Sequence, residues 1–281
     1  MVYRRRIVAL VVLIAAAAVV WGIVSSFGGG EKSKPATTAV VAPRPFKVVF
    51  PEGFDRGQMA QRVTAVAEIA KKERGRAPRL NGSTYLKITS APRREPGFGR
   101  KRYPLEGFLF PATYDFTIRS TSGQLVAQQL EAFRSNWAKV NLRYAHSKNL
   151  TAYDVLTIAS MIERETAAPE ERQLVAAVIY NRLHLRMPLG IDATLRYGLH
   201  IPPTESIRES QLNSTSPYNT GKQPGLPPTP ISNPGLASIQ AAAHPAHVDF
   251  LYYVRKPDKK HHFFTASFDS FEKYKAEHGY R

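Results

Sequence analysis

Thr151-Ala152-Tyr153-Asp154-Val155-Leu156-Thr157-Ile158-Ala159-Ser160-Met161-Ile162-Glu163-Arg164-Glu165-Thr166 is the stretch around which the rest of this sequence is organised. Thr151 is a helix N-cap, with Asp154 three residues on in the position of a capping box. Val155, Leu156, Ile158, Ala159, Met161 and Ile162 then recur at helical spacing, so the segment reads as a buried amphipathic helix ending near Thr166. Glu163 and Glu165 lie two positions apart, which turns them roughly 200° from each other on the helix. They are therefore not a two-carboxylate glycosidase pair. Ile158, Met161 and Ile162 all fall within roughly 60° of Glu165 on the same projection. Glu165 follows the apolar stripe and Glu163 lies nearly opposite it. A carboxyl on an apolar face either pairs with a cation or holds a raised pKa, and a raised pKa is what a general acid needs. Periodicity alone leaves both open: an ordinary helix-end Glu beside an Arg, or a catalytic acid.

Outward from this helix, Pro169 fits the first turn of a second one, with Glu170 and Glu171 at its positive end and an apolar set running through Leu174, Val175, Val178, Ile179 and Leu183. Towards the N-terminus, Ser122 to Val140 and Gln58 to Lys72 are helical in pattern, and Phe46 to Phe50 is strand-like, closed by Pro51 and Gly53. Residues 89–104 carry three prolines, two glycines and several arginines, an exposed basic loop. Towards the C-terminus, residues 201–235 are Pro-, Ser-, Thr- and Asn-rich and irregular. Leu236 to Ala243 reads as a short helix, Phe250 to Val254 as a buried strand, and Phe268 to His278 as a final helix. Strands and helices do not alternate, so the expected class is α+β. No internal repeat is visible.

The N-terminus differs in kind. Ile7 to Val24 is an uninterrupted apolar run preceded by Arg4, Arg5 and Arg6. It would span roughly 27 Å as a helix, close to the hydrocarbon core of a bilayer. Basic residues before it favour a cytoplasmic N-terminus, and no A-x-A-like cleavage site follows. The expected layout is a short cytoplasmic tail and transmembrane helix over 1–27, a Gly- and Pro-bearing linker over 28–45, and a folded body over 46–281 outside the cytoplasm, anchored in a cell membrane.

The chain has 281 residues, 39 Lys and Arg against 22 Asp and Glu, and a formal net charge of +17. Such a balance favours an anionic partner. With the body across a membrane, nucleic acid is not expected. There is no cysteine, which excludes disulfides, thiolate zinc sites, iron–sulfur clusters and a cysteine nucleophile. Neither a Gly-x-Ser-x-Gly elbow nor a Walker or dinucleotide glycine pattern occurs, so no cofactor is expected. His244 with His247, and His261 with His262, lack the spacing of a helical zinc motif, so no metal is expected; a histidine bonding within a cleft is the better reading. Aromatics and prolines cluster at Glu106 to Tyr114 and at Tyr218 to Ile231. They read either as turns with core aromatics or, with Asp192, Asn219 and His262, as a groove for sugar rings.

At these residues the sequence resembles the endolytic murein transglycosylase family, the MltG or YceG-like proteins. The matching pieces are Glu106-Gly107-Phe108 with Phe110-Pro111 and Thr113-Tyr114; Ala159 to Ala167; Glu171-Arg172 and Asn181-Arg182-Leu183; Asp192 with Thr194 and Tyr197-Gly198; Tyr218-Asn219-Thr220; Gly225-Leu226-Pro227-Pro228; and Ala241 to Pro245. The resemblance implies a YceG-like body that cleaves the MurNAc–GlcNAc bond of nascent peptidoglycan glycan strands by a lytic route, leaving 1,6-anhydro ends. Its catalytic acid/base falls on Glu165. Glu106, Phe110, Tyr114, Asp192, Tyr197, Tyr218, Asn219, Thr220, His244 and His262 fall on substrate-binding positions. Penicillin-binding proteins or other synthesis machinery are the implied partners. Ala193 stands where the family pattern has Pro, Ala112 where it has an acidic residue, and Gly221 where it has Tyr. The linker also leads almost directly into the body, without the family's LysM-like small lobe. Two other readings remain: a non-catalytic cell-wall binding or scaffold protein on the same fold, and a basic protein binding anionic lipid or polymer through residues 92–102.

Overall fold

Asp55 opens the first long helix of the computed structural model, which describes residues 45–280. Its side chain accepts from the backbone N–H of Gln58, whose own side chain accepts from the Asp55 N–H, a reciprocal cap that starts helix α1, Arg56–Arg74. The helix ends at Gly75, which takes the left-handed conformation at φ 65°. Strand β1, Phe46–Val49, precedes it; helix α2, Gly82–Ser90, capped by Asn81, and strand β2, Thr113–Phe116, follow. β1 and β2 pair antiparallel, Phe46 opposite Phe116 and Val48 opposite Tyr114. Val48, Tyr114 and Phe116 face inward while Lys47, Asp115 and Thr113 face out, the period-two pattern of a half-buried ribbon. Phe50, Met59, Val63 and Tyr85 fill the space between ribbon and helices.

This strand–helix–helix–strand unit occupies 46–116 and opens the body. The basic loop is corrected in part. Arg93 and Tyr103 form an isolated antiparallel bridge, and Glu95 and Phe98 are buried within it.

Helix α3, Ser122–Trp137, is capped by Thr121 and Gln124 and stops one turn short of Val140. After short helix α4, Arg143–Ser147, comes α5, Ala152–Glu165. Thr151 and Asp154 cap it reciprocally, and every residue from Val155 to Ile162 is buried. α5 is the axis of the body. Against it pack α6, Arg172–His184, entered through a 3-10 turn at Pro169–Glu171, and α9, Leu236–Ala243. Between them the chain forms α7, Asp192–Leu199, and a single turn, α8, Glu209–Leu212, within an otherwise irregular segment.

An antiparallel hairpin, β3 (Tyr252–Arg255) with β4 (His262–Thr265), and helix α10, Phe268–Glu277, complete the α+β body. β3 lies two residues later than the expected Phe250 to Val254 and is half-buried rather than buried, because one face of this ribbon is open at its edge. Among residues 45–280 no helix is long and apolar enough to cross a membrane. The apolar run at 7–24 and the rest of the expected linker lie outside the described residues.

Candidate active site

Glu165 is the last residue of α5, and its position there is set by the apolar face that buries the helix. The two carboxylates of this turn diverge. Glu163 Oε2 accepts from the N–H of Gly235, the N-cap of α9, at 2.9 Å, where a negative charge meets the positive end of that helix. Glu165 turns the other way, and its Oε2 accepts from the Tyr253 hydroxyl at 3.2 Å. Burial pushes the Glu165 carboxyl above the usual carboxylate range, and the nearby charge of Asp192 pushes it further. Tyr253, Arg255 and the backbone N–H of Ala193 oppose this by favouring the anion. Ala193 lies in the first turn of α7, so that helix aims its N-terminus at the carboxyl. Tyr253 is itself held far above an ordinary phenol by burial and by Glu165, so it acts as a neutral donor.

Tyr253 is in turn positioned from behind. Its ring meets the edge of His262 at 5.3 Å and packs on Phe264 at 5.8 Å. His262 is buried, and its backbone N–H and Nδ1 both bond Glu171, at 2.9 and 2.7 Å. Beside it, half-buried His261 bonds Asp258 at 2.8 Å and Glu170 at 3.2 Å. Two adjacent histidines thus fasten the hairpin to the 3-10 turn after α5, and each has carboxylate partners.

Next to Glu165, with Ala193 as a shared wall, lies a cleft of about 510 Å³ lined by Arg56, Glu106, Arg164, Arg196, Tyr197 and His200 among others. Glu106 is buried at its base. The Arg56 backbone N–H (3.2 Å) and Nε (3.3 Å), the Tyr197 hydroxyl (2.9 Å) and Asn233 Nδ2 (2.9 Å) all donate to it. Burial outweighs the attraction of Arg56, and the Glu106 carboxyl is pushed up to about 7. The arrangement offers one half-buried acid, Glu165, bonded to Ala193, which also lines the neighbouring arginine-bearing cleft.

Asp192, exposed at the start of α7, and Tyr197 and Tyr218, whose rings lie 5.3 Å apart, belong to this region. His262 reaches it through Tyr253. Thr220 is a buried scaffold: its hydroxyl accepts from the Ile191 N–H at 3.0 Å and meets Thr194 Oγ1 at 2.9 Å, which fixes the entry to α7. Asn219 is likewise internal, its amide donating to the carbonyls of Leu212 and Ser214. Both are largely buried, and Asn219 reaches the surface only at a small pocket that it shares with Asp192. Phe110 packs against the core, and its carbonyl accepts from the hydroxyl of Tyr114, a core residue of β2. Tyr114 is therefore placed away from the cleft, because the pleat of β2 turns it inward. His244 caps the end of α9 and is exposed, with its carbonyl taken by Gln173, so it is not brought to Glu165.

Tyr253, Arg56, Asn233 and Glu171 are the residues that sequence reasoning missed. For Tyr253 a signal existed: in a strand, residues 253 and 255 share a face, and both Tyr253 and Arg255 act on Glu165.

Known proteins share this arrangement of chain. The endolytic murein transglycosylase of Bacillus subtilis (strain 168) is 37% identical over 157 residues, 55% of this chain and 43% of that protein. The endolytic murein transglycosylase of Streptococcus pneumoniae (strain R6) is 33% identical over 258 residues, covering 82% of this chain and 44% of that protein. The chain thus spans less than half the length of these relatives. Among solved structures, a yceG-like protein of Listeria monocytogenes, lmo1499, superposes with a TM-score of 0.67 at 30% identity, covering 82% of this chain and 76% of that one. A model of the YceG-like family matches residues 27–277, and with a match of that extent the chain belongs to the YceG-like family.

Proposed function

We propose that this protein is a membrane-anchored endolytic transglycosylase that cleaves the MurNAc–GlcNAc bond of nascent peptidoglycan, with Glu165 as acid and base. The observation that carries the reading is the placement of Glu165: one carboxyl whose pKa is raised by burial, hydrogen-bonded to Tyr253, and joined through Ala193 to the neighbouring arginine-bearing cleft. The names of the relatives at 32–37% identity support the substrate class. In the proposed step protonated Glu165 gives its proton to the bridging oxygen as the C1–O bond breaks. The resulting carboxylate then takes the proton of the muramoyl C6 hydroxyl as that oxygen closes on C1. No water is consumed, and a 1,6-anhydro ring ends the strand. One carboxyl serves both transfers, which fits a turn in which Glu163 is committed to Gly235. Tyr253 would steady the carboxylate between the two, and Arg56, Arg164 and Arg196 would offset the peptide and lactyl carboxylates of the polymer.

The rest of the proposal concerns location. Residues 7–24 would form the single span, with the N-terminus cytoplasmic and the body outside, and the chain would work beside penicillin-binding proteins or other peptidoglycan synthesis machinery.

The test compares the full chain with Glu165→Gln on purified glycan strands, with products read by mass spectrometry. Anhydro-ended fragments are expected from the wild type, and a loss of about 10²–10⁴-fold in the variant. Hydrated reducing ends would make the protein a hydrolase. Intact strands with both forms would leave a non-catalytic wall-binding role in its place.

A further inference from the structure

The hairpin from Arg93 to Tyr103 is a built structure rather than a loose loop. The backbones of its two ends bond each other in both directions at 2.9 Å. Phe98, at its turn, is driven into the core, its ring 4.8 Å from both Phe108 and Trp137. Gly97 and Gly99, at φ 85° and 77°, let the chain reverse on either side of that ring. Tyr103 stacks on Tyr153 with ring centroids 3.7 Å apart. The hairpin's one acid, Glu95, is buried and accepts from Arg134 at 2.8 Å, so its charge is used internally.

What remains outward is a single sign of charge. Arg94, Arg100, Lys101 and Arg102 are exposed, and Arg93 is half-exposed. Among the described residues none of these five has a carboxylate within ion-pair distance. Like charges held this close repel one another, and a braced backbone keeps them from spreading. That is the form of a surface waiting for a dense array of negative charge.

We propose that this hairpin docks on the anionic phospholipid surface of a membrane. Lipid is favoured over a sugar polymer because the hairpin shows no free aromatic face: Phe98 is inside, and the Tyr103 ring lies between Tyr153 and Lys101. An adsorbing, non-inserting contact fits headgroup charge, for which each cation near the surface contributes severalfold in affinity. The tether for such docking rests on the proposed span at 7–24. Tyr153 and Glu165 are separated by the length of α5, roughly 18 Å. Docking through the Tyr103 end therefore leaves Glu165 free for substrate.

The chain has no cysteine, so Pro96→Cys, on the exposed turn, takes a single fluorophore. The full chain is reconstituted in vesicles of phosphatidylcholine, with or without phosphatidylglycerol, carrying an acceptor-labelled lipid. Strong energy transfer is expected with phosphatidylglycerol. The docked fraction is expected to fall about tenfold or more in phosphatidylcholine alone, in high salt, and when Arg94, Arg100, Lys101 and Arg102 are all changed to Gln. Glycan cleavage in detergent by that fourfold variant should equal wild type.

Equal transfer under all conditions, in chains that stay with the vesicles after an alkaline wash, overturns the proposal. So does capture by a soluble anionic polymer without transfer to anionic lipid. If the wash strips the chain from both vesicle types, the anchor fails instead. Salt-sensitive adsorption to phosphatidylglycerol vesicles alone then supports the hairpin, and its absence sinks it.

Discussion

At the scale of the residue, the chemistry of Glu165 is a balance of opposed effects, and single groups can be removed from each side. Burial and Asp192 raise the pKa of the carboxyl; Tyr253, Arg255 and the Ala193 N–H favour the anion. Ala193 is of particular interest, because the family pattern that the chain resembles has proline there, and proline carries no N–H. As the second residue of α7, its N–H has no partner within the helix, so Ala193→Pro removes the donor to Glu165 without breaking an intrahelical bond. Tyr253→Phe removes the other donor and keeps the ring. Both changes should raise the Glu165 pKa further, so a reaction that needs the acid form should keep its activity to higher pH. Asp192→Asn should move that limit down. The check is kcat/KM against pH on glycan strands for the three variants. An alkaline limb that stays in place in all of them would show that another group is the titrating acid.

At the scale of the element, α5 shows both what the sequence makes legible and what it does not. Its cap, apolar period and end are all local, so its extent and the divergence of Glu163 from Glu165 follow from the residues themselves. α9 and α6 are legible for the same reason. α2 is not: it begins on Gly82, contains β-branched Thr84, Ile88 and Thr89, and gives a weak helical signal. β2 and β4 are four-residue strands whose partners lie far along the chain or across a polar turn, so no local alternation marks them. The site divides along the same line. Glu165 is readable because its helix is. Tyr253 arrives from 88 residues downstream and depends on a hairpin register that local pattern does not fix. The cap at the far end of α5 allows a separate measurement. Thr151 Oγ1 accepts from the Asp154 N–H at 3.2 Å, and Asp154 accepts from the Thr151 N–H at 2.7 Å. Thr151→Ala should cost about 1 kcal/mol and lower Tm by about 2–4 °C. Because the cap lies at the opposite end from Glu165, kcat should be unchanged. A fall in kcat without a fall in Tm would mean that the ends of this helix are coupled.

At the scale of the whole molecule, Glu106 is where separate parts of the chain converge. Arg56 brings in the start of α1, Tyr197 brings α7, and Asn233 comes from the loop before α9. Asn233 also donates to the Phe54 carbonyl and accepts from the Leu109 N–H, so one buried polar network ties the strand–helix–helix–strand unit to the body. The network has a definite pH signature. The Glu106 carboxyl has an ordinary pKa of 4.5 when exposed and is pushed up to about 7 in the fold, with burial as the largest cause. Between these values the folded chain binds the proton that the unfolded chain has released. Its contribution to stability is therefore complete below about 4.5 and lost as pH rises through about 7. The full loss is about 3 kcal/mol. Glu106→Gln cannot titrate, so the difference in unfolding free energy between wild type and variant should shrink or reverse across that interval. Denaturant titrations of both forms at pH 4, 5, 6 and 7.5 measure it. A difference that is flat with pH would mean that Arg56 keeps Glu106 ionised throughout, and that the two halves of the molecule are held by a permanent buried ion pair.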